Sequence, residues 1–465
     1  MSGERKGIRE LAEQFKTMEA KHDLFSRKTE DGVYYWDVFR YMVYMTILSR
    51  NGIYENTDIF LGQDEVAPWK KLVKALRLFP DYLINECRFA FLLSRRKKYC
   101  FLKISRFQDD NGRPVDLLFQ DIYEQVRDDA FVMEYFRHPS FRWLKQNIKN
   151  GYFLYPLQMS LLLKKEKKDD WGFLSQLINK EFEVDVSWPK AFQASISKYR
   201  KEYRFFSSLF RRIKPGFLFF QSDPKGMIAA ANDLGILTLD LQHGHINNVG
   251  MTYSYPTNVD LSHVNSIPSI VLTLGEFWNG IIDFPNRKIT CGSSYFYIPP
   301  DKDSNKKKGV MAVSGLFIHN FLARQIAELA KRHPEIVFYY KLHSNQGHQI
   351  KECKAFFDSY ENVNVIYTEK NVKEIMEDCF AIALVQSSVA YQALQKGLKV
   401  FIFKNAYYEA SYEIFNQDGV YLVDGWKDLS DNMDSFKNNK ANSPAIYFQP
   451  YDPLVIKKLL DLSLN

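Results

Sequence analysis

Three short stretches bring together side chains able to act on a phosphorylated substrate: Gln242-His243-Gly244, Lys341-Leu342-His343-Ser344 and Gln386-Ser387-Ser388. Each follows an apolar run of the kind that forms a buried parallel strand, so each is expected at a strand's carboxyl end. Histidine titrates near neutral pH, which fits His243 to take a proton from a hydroxyl. The glycine beside it lets the backbone turn sharply or approach a ligand closely. The alternative is a histidine satisfied by a neighbouring loop. Lys341 and His343 alternate along their strand and so share a face, where the pair could neutralise or protonate a departing phosphate. A polar cluster at a sheet edge is the competing reading. Ser387 and Ser388 open a helical segment, and two hydroxyls with free N–H groups suit a phosphate. Simple N-capping also explains one of the two serines. Ser314-Gly315 is a weaker instance of the same pattern.

A particular succession of elements must position these side chains. Residues 216–220 are a short apolar run, then Ser222-Asp223-Pro224 supplies a capping side chain and a proline for the first helical position. The helix spans 225–234, Gly235 stops it, and residues 236–241 form the next strand, ending at Gln242. Ligands of open parallel sheets bind outside the carboxyl ends of strands, where Asp223, Gln242 and Gly244 are expected to lie. A stretch over 284–308 with Pro285, Pro299, Pro300 and a polar run reads as a linker. Beyond it strands are expected at 309–313, 336–340, 363–367, 381–385 and 399–403. Helices are expected at 321–332, at 371–378 with Asn371 and Glu374 at capping-box spacing, and at 389–396 with Gly397 as its stop. Upstream, residues 5–95 read as mainly helical, with strands at 99–104 and 130–135.

The fold class expected from this alternation is α/β, with two Rossmann-like doubly wound domains facing across a cleft, the GT-B architecture. The expected division is a helical extension over 1–95 packed on the first domain, an acceptor domain over 96–290, a nucleotide-sugar domain over 291–440, and a tail over 441–465 returning to the first domain. A length of 465 residues exceeds one ordinary core and suits two.

Composition narrows the function classes. The net charge of +7 is spread over short runs such as Arg95-Arg96-Lys97-Lys98 and Lys306-Lys307-Lys308, not concentrated in the stripe of a nucleic-acid binder. Such runs suit solvated surface, or attraction to anionic phospholipid or a polyprenyl-diphosphate acceptor. Five cysteines without a CxxC pair argue against a disulfide framework or a structural zinc site and suit a cytoplasmic protein. Residues 1–21 do not read as a signal peptide. The most apolar stretch, 79–93, is interrupted by charges and too short to span a bilayer, so any contact with the inner membrane face is expected to be peripheral. Aromatic residues reach 15%, which fits either a large core or sugar-stacking surfaces.

The ordered set Leu241-Gln242-His243-Gly244, Tyr253-Ser254-Tyr255-Pro256, Leu274-Gly275-Glu276-Phe277-Trp278, Lys341-Leu342-His343 and Ser387-Ser388-Val389-Ala390 resembles bacterial capsule and O-antigen biosynthesis proteins over residues 214–423. The layout is similar to that of bacterial sialyl-, polysialyl- and Kdo-transferases and of CDP-glycerol polyol-phosphate transferases. The resemblance implies a GT-B glycosyltransferase using a nucleotide-sugar donor, a CMP-sugar first and a UDP-sugar second, and a lipid-linked or growing glycan acceptor. It makes His243 the general base, His343 the donor-phosphate contact or general acid, and Ser387 and Ser388 the phosphate anchors, with Lys341 and Ser314 also on the donor side. Two positions depart from the sialyltransferase pattern: Gln242-His243-Gly244 replaces an acidic-acidic-Gly motif, and Ser344 replaces the proline after the histidine. Asp223 or Asp240 would serve if a carboxylate is needed. Gln392 stands where a glutamate is common in that group. No DxD-like pair stands at a strand end, so neither a metal nor another cofactor is expected. The alternatives are a CDP-polyol phosphotransferase and a non-catalytic subunit of a polysaccharide assembly complex.

Overall fold

A computed structural model of the chain describes residues 6–53, 83, 86–87, 97–103, 107–108, 114–135, 151–154, 168–221, 224–300, 309–315, 319–431 and 446–462. The helical reading of 5–95 therefore falls partly outside the described residues, as does Asp223. In chain order the first strands are β1 (Tyr99–Lys103), β2 (Phe107–Gln108), β3 (Pro114–Val115), β4 (Ala130–Tyr135), β5 (Gly151–Leu154), β6 (Phe217–Phe220), β7 (Leu237–Leu241), β8 (Ile270–Thr273) and β9 (Arg287–Thr290). Seven of them form one sheet in the order β5-β4-β1-β6-β7-β8-β9, with every neighbouring pair parallel; β2 and β3 make a separate antiparallel pair. The second group is β10 (Gly309–Val313), β11 (Val337–Lys341), β12 (Val363–Ile366), β13 (Cys379–Leu384), β14 (Lys399–Phe403) and β15 (Val420–Val423). It forms a fully parallel sheet in the order β12-β11-β10-β13-β14-β15.

Both sheets are doubly wound, and together they make the two-domain GT-B arrangement. Strand order reverses between β1 and β6 in the first sheet and between β10 and β13 in the second, which creates a crevice at the carboxyl edge of each. Strands β6, β8, β10, β13 and β14 are buried along their whole lengths, which explains their mostly apolar sequences, broken only at ends such as Thr273 and Lys399. Local signals set the helices between them. Asn371 and Glu374 form a reciprocal capping box at the start of the helix Val372–Met376. Gly397 takes φ 90° to end the helix Val389–Lys396, a conformation that costs side-chain-bearing residues steric energy.

The stretch 284–308 is not a linker throughout. Its residues Arg287–Thr290 are β9, the edge strand of the first sheet. An edge strand needs no apolar run, so Arg-Lys-Ile-Thr gave no strand signal of the kind the buried strands carry. The chain also crosses back: Gln449 N–H bonds the Leu274 carbonyl (2.8 Å), and Asp452 N–H bonds that of Cys291 (2.9 Å). The helix Pro453–Leu462 then packs on the helix Gln120–Val126 of the first domain. A Cβ on Gly275 would stand 2.2 Å from the Tyr447 carbonyl oxygen, so this crossing requires glycine there.

Two N-terminal helices, Ile8–Lys21 and Trp36–Arg50, brace residues 251–266, which lie between β7 and β8. Arg40 is buried and forms a two-pronged ion pair with buried Glu19 (2.8 and 2.9 Å), donates to the Met251 and Ser254 carbonyls, and lies over the Tyr255 ring at 4.3 Å. Asp37 accepts from Ser266 (2.6 Å) and Tyr255 (3.1 Å) and pairs with Lys225 at 2.8 Å. Among the described residues no helix is long and apolar enough to cross a membrane.

Candidate interdomain site

The loop after β7 carries the first motif. Gln242 is fully buried: its carbonyl oxygen accepts from Leu274 N–H (2.9 Å) and its amide donates to the Gly244 carbonyl (2.8 Å). The oxygen thus ties the loop to the residue after β8 and the amide closes the turn at Gly244, so both ends of the side chain are committed to backbone partners. His243 is half-buried, and a Cβ on Gly244 would meet nothing within 4 Å. The backbone at Gly244 therefore borders open space that packing does not fill.

His245 makes the crossing to the second domain. Its Nδ1 lies 2.8 Å from Gln386 Nε2 and its Nε2 lies 2.7 Å from the Tyr391 hydroxyl. The Tyr391 hydroxyl is 3.3 Å from Glu413 Oε2, and that carboxylate oxygen is 3.8 Å from His245 Nε2. The side chains of His245 and Glu413 are only 6% and 4% exposed. A glutamine Nε2 can only donate, so His245 Nδ1 accepts. A neutral imidazole then carries its proton on Nε2 and donates to Tyr391, whose hydroxyl donates in turn to Glu413. Burial, and after it the Glu413 carboxylate, holds the Tyr391 phenol well above its ordinary pKa, so the hydroxyl remains a donor. Glu413 Oε1 is buried without a hydrogen-bond partner among the described residues. Asn247 strengthens the crossing by donating to the Ala410 carbonyl (2.5 Å).

Aromatic rings seal the region beneath. Trp278, Phe277, Tyr391 and Tyr447 pack with ring centroids 4.8–6.0 Å apart, and Trp278 Nε1 donates to the Tyr447 carbonyl (2.6 Å). These four rings thus serve as packing beside the crossing.

Two strand ends flank the second sheet's crevice. Ser314 follows β10 and is buried; its N–H bonds the Lys341 carbonyl (3.0 Å) and its hydroxyl points to the Gly315 carbonyl (3.5 Å). Ser387 follows β13, and its hydroxyl accepts from Val389 N–H (3.2 Å), a cap of the kind that explains a serine without a ligand. The N–H groups of Ala390 and Tyr391 bond the Ser387 and Ser388 carbonyls (3.1 and 3.2 Å), so the first-turn amides are already engaged. The Ser388 hydroxyl has no partner among the described residues.

Lys341 and His343 stand apart from this crossing. The Lys341 ammonium bonds the Tyr367 carbonyl, on the β12 side of β11, and burial lowers its pKa. His343 is exposed, and its N–H is held by the Gln346 side chain (2.7 Å). Gln392 is buried and donates to the Phe296 carbonyl (2.9 Å), so it braces the interdomain connection.

Sequence reasoning passed over His245, Tyr391 and Glu413. Histidines flank Gly244 on both sides, and the strand-end motif singles out His243 alone. Glu413 sits in the irregular turn Tyr408–Ile414 and carried no motif. Among the described residues no group of three or more His, Cys, Asp or Glu side chains is placed to hold a metal ion. Two cavities lie elsewhere. One of about 490 Å³ is lined by Lys16, Tyr255, Asn258 and Asp283, and one of about 620 Å³ by Cys291, Tyr297, Gln449 and Tyr451. Neither includes a residue of the crossing.

No family model matches the chain, and no curated protein does. Among solved structures, the chain is similar to a UDP-GlcNAc 2-epimerase of Methanocaldococcus jannaschii in complex with UDP-GlcNAc and UDP: 11% identity, 78% of this chain and 98% of that chain covered, TM-score 0.44. It is similar to Acinetobacter baumannii MurG at 12% identity, with 79% and 99% covered and a TM-score of 0.47. For S. aureus MnaA bound to UDP the values are 10% identity, 78% and 95% coverage and a TM-score of 0.47.

Proposed function

We propose that the chain is an enzyme that transfers a sugar from a nucleotide-sugar donor to a hydroxyl of a bacterial surface glycan, with the reaction at the carboxyl edges of the two sheets. One observation carries the reading. The 2.8 Å contact between His245 and Gln386 ties the loop holding His243-Gly244 to the strand end holding Ser387-Ser388. Residues two positions from one partner and one or two from the other are thereby brought to a single crossing, at the edges where parallel sheets take their ligands. The half-buried His243 beside open backbone suits a general base. The acceptor hydroxyl oxygen forms a bond to the anomeric carbon, the bond from that carbon to the donor phosphate breaks, and the hydroxyl proton passes to His243. Ser388 and Ser314 are on the donor side, with Lys341 and His343 at its outer margin. A CMP-sugar is the favoured donor, because the order of the motifs resembles that of CMP-sugar transferases.

A thermal-shift screen with CMP, UDP, GDP and CDP tests this directly, since a ligand that binds only the folded chain raises its melting temperature. A rise with CMP supports the favoured donor and a rise with UDP the second one. A rise with CDP alone moves the chemistry to polyol-phosphate transfer. No rise with any of the four contradicts a transferase and favours a non-catalytic subunit.

A further inference from the structure

The geometry points to His245 as a positioning residue that sets how the loop carrying His243 meets the strand end carrying Ser387-Ser388. The inference rests on the transfer reading above and adds to it the device that holds the site together.

The imidazole is the middle member of a hydrogen-bond chain with one allowed direction. Gln386 donates to Nδ1, Nε2–H donates to Tyr391, and Tyr391 donates to Glu413. Every link after the first depends on the one before. Moving the proton to Nδ1 would set it against Gln386 Nε2, donor facing donor. The chain joins three separate elements of the second domain: the end of β13, the helix Val389–Lys396 and the turn Tyr408–Ile414. On the first domain's side, His245 meets all three. The part of the chain from His245 to Glu413 is buried, with the Tyr391 ring packed on Trp278 at 4.8 Å and on Tyr447 at 5.2 Å. In such surroundings an unmade hydrogen bond is not replaced by water, so the bonded arrangement is strongly preferred.

The turn Tyr408–Ile414 also meets the N-terminal helix. Arg9 lies over the Tyr412 ring at 4.4 Å, and the Glu409 carboxylate approaches Gly7 at the start of that helix. The same helix supplies Glu19 to Arg40, which grips the loop after β7. His245 and the helix thus tie the same two pieces by independent routes, one inside the crossing and one around it. His245 touches neither hydroxyl of the Ser387-Ser388 pair directly. It acts by fixing the neighbours of both motifs, and a displacement of about 1 Å at a reacting group lowers a rate by up to about 10²-fold.

The test uses the full chain with Tyr391→Phe, which keeps the ring packing and removes the hydroxyl, and with Glu413→Gln and Glu413→Leu. Each variant is assayed well below its melting temperature, where near-ultraviolet circular dichroism shows it folded. Two readouts are taken: hydrogen exchange without substrate, and kcat and KM with the donor found for the wild type. Tyr391→Phe is expected to speed exchange together at residues 242–248 and 386–391, and to lower kcat about 10- to 100-fold with a smaller change in donor KM. Glu413→Gln keeps an acceptor for Tyr391 and is expected to retain most of the activity that Glu413→Leu loses. Exchange unchanged in either segment, or loosened exchange with wild-type kcat, overturns the positioning role. If the wild type binds no nucleotide, the transfer reading fails, and the exchange comparison still decides whether His245 joins the two loops.

Discussion

The loops after β7 and after β11 look alike as sequence and behave differently in the folded chain. Each follows a strand one place removed from its sheet's reversal point, and each carries a histidine two residues past the strand end. The first is built into the molecule: Gln242 pins it to β8, His245 and Asn247 cross to the second domain, and Arg40 holds its far part through Met251 and Ser254. The second folds into a short turn over Ser344–Gln349 with His343 exposed and the Lys341 ammonium bonded to a backbone carbonyl. A strand end alone does not make a site; what braces the loop beyond it decides which groups are held ready. Two buried cations outside these loops, Arg40 and Lys399, also differ. Burial opposes the charge of Arg40, but Glu19 outweighs it and raises the pKa above the ordinary range, whereas burial lowers that of Lys399 to about 8.

The largest effect is expected from removing the brace. Arg40→Leu leaves Glu19 buried without its cation and should lower stability by about 3–5 kcal/mol in urea unfolding. A loss below about 1 kcal/mol would mean that the loop after β7 is not held by the N-terminal helices. Next is the contrast between the histidines. His243→Ala should lower the transfer rate at least about 10²-fold, as loss of a general base does, while exposed His343→Ala should lower it less. Equal losses would erase the distinction between the two loops.

How much of this was legible depended on whether burial left a mark in the sequence. Fully buried strands such as Phe217–Phe220 and Lys399–Phe403 stood out as apolar runs, and Asn371, Glu374 and Gly397 marked helix ends by local chemistry. The edge strand Arg287–Thr290 carried no such run and was read as linker. The motif at Gln242-His243-Gly244 was visible, but the duties within it were not. Gln242 is committed to backbone partners, and the histidine that crosses is His245, because its partners Tyr391 and Glu413 lie more than a hundred residues away. Contacts of that range leave no periodicity in a single sequence.

A smaller effect separates the buried cations. The folded pKa of Lys399, about 8, lies below its unfolded value of 10.5. The native state therefore binds fewer protons than the unfolded state between those values, and stability from this residue rises as pH increases through that window. Lys399→Met should remove that rise in chemical unfolding measured from pH 7.5 to 10.5; an unchanged pH profile would show that Lys399 is not the source. The smallest stability effect is expected at Gly244, where a Cβ meets nothing within 4 Å. Gly244→Ala should change stability by no more than about 0.5 kcal/mol while weakening nucleotide or acceptor binding. A stability loss well above that would mean that the glycine serves the fold.

The most direct measurement is hydrogen exchange of the wild-type chain with and without the nucleotide that raises its melting temperature. Slower exchange is expected at residues 242–248 and 386–391, where the two sheets' carboxyl edges meet. Slower exchange instead in the segments lining the two cavities, 13–21 with 255–258 or 290–297 with 449–455, and none at the crossing, would contradict a site between the domains.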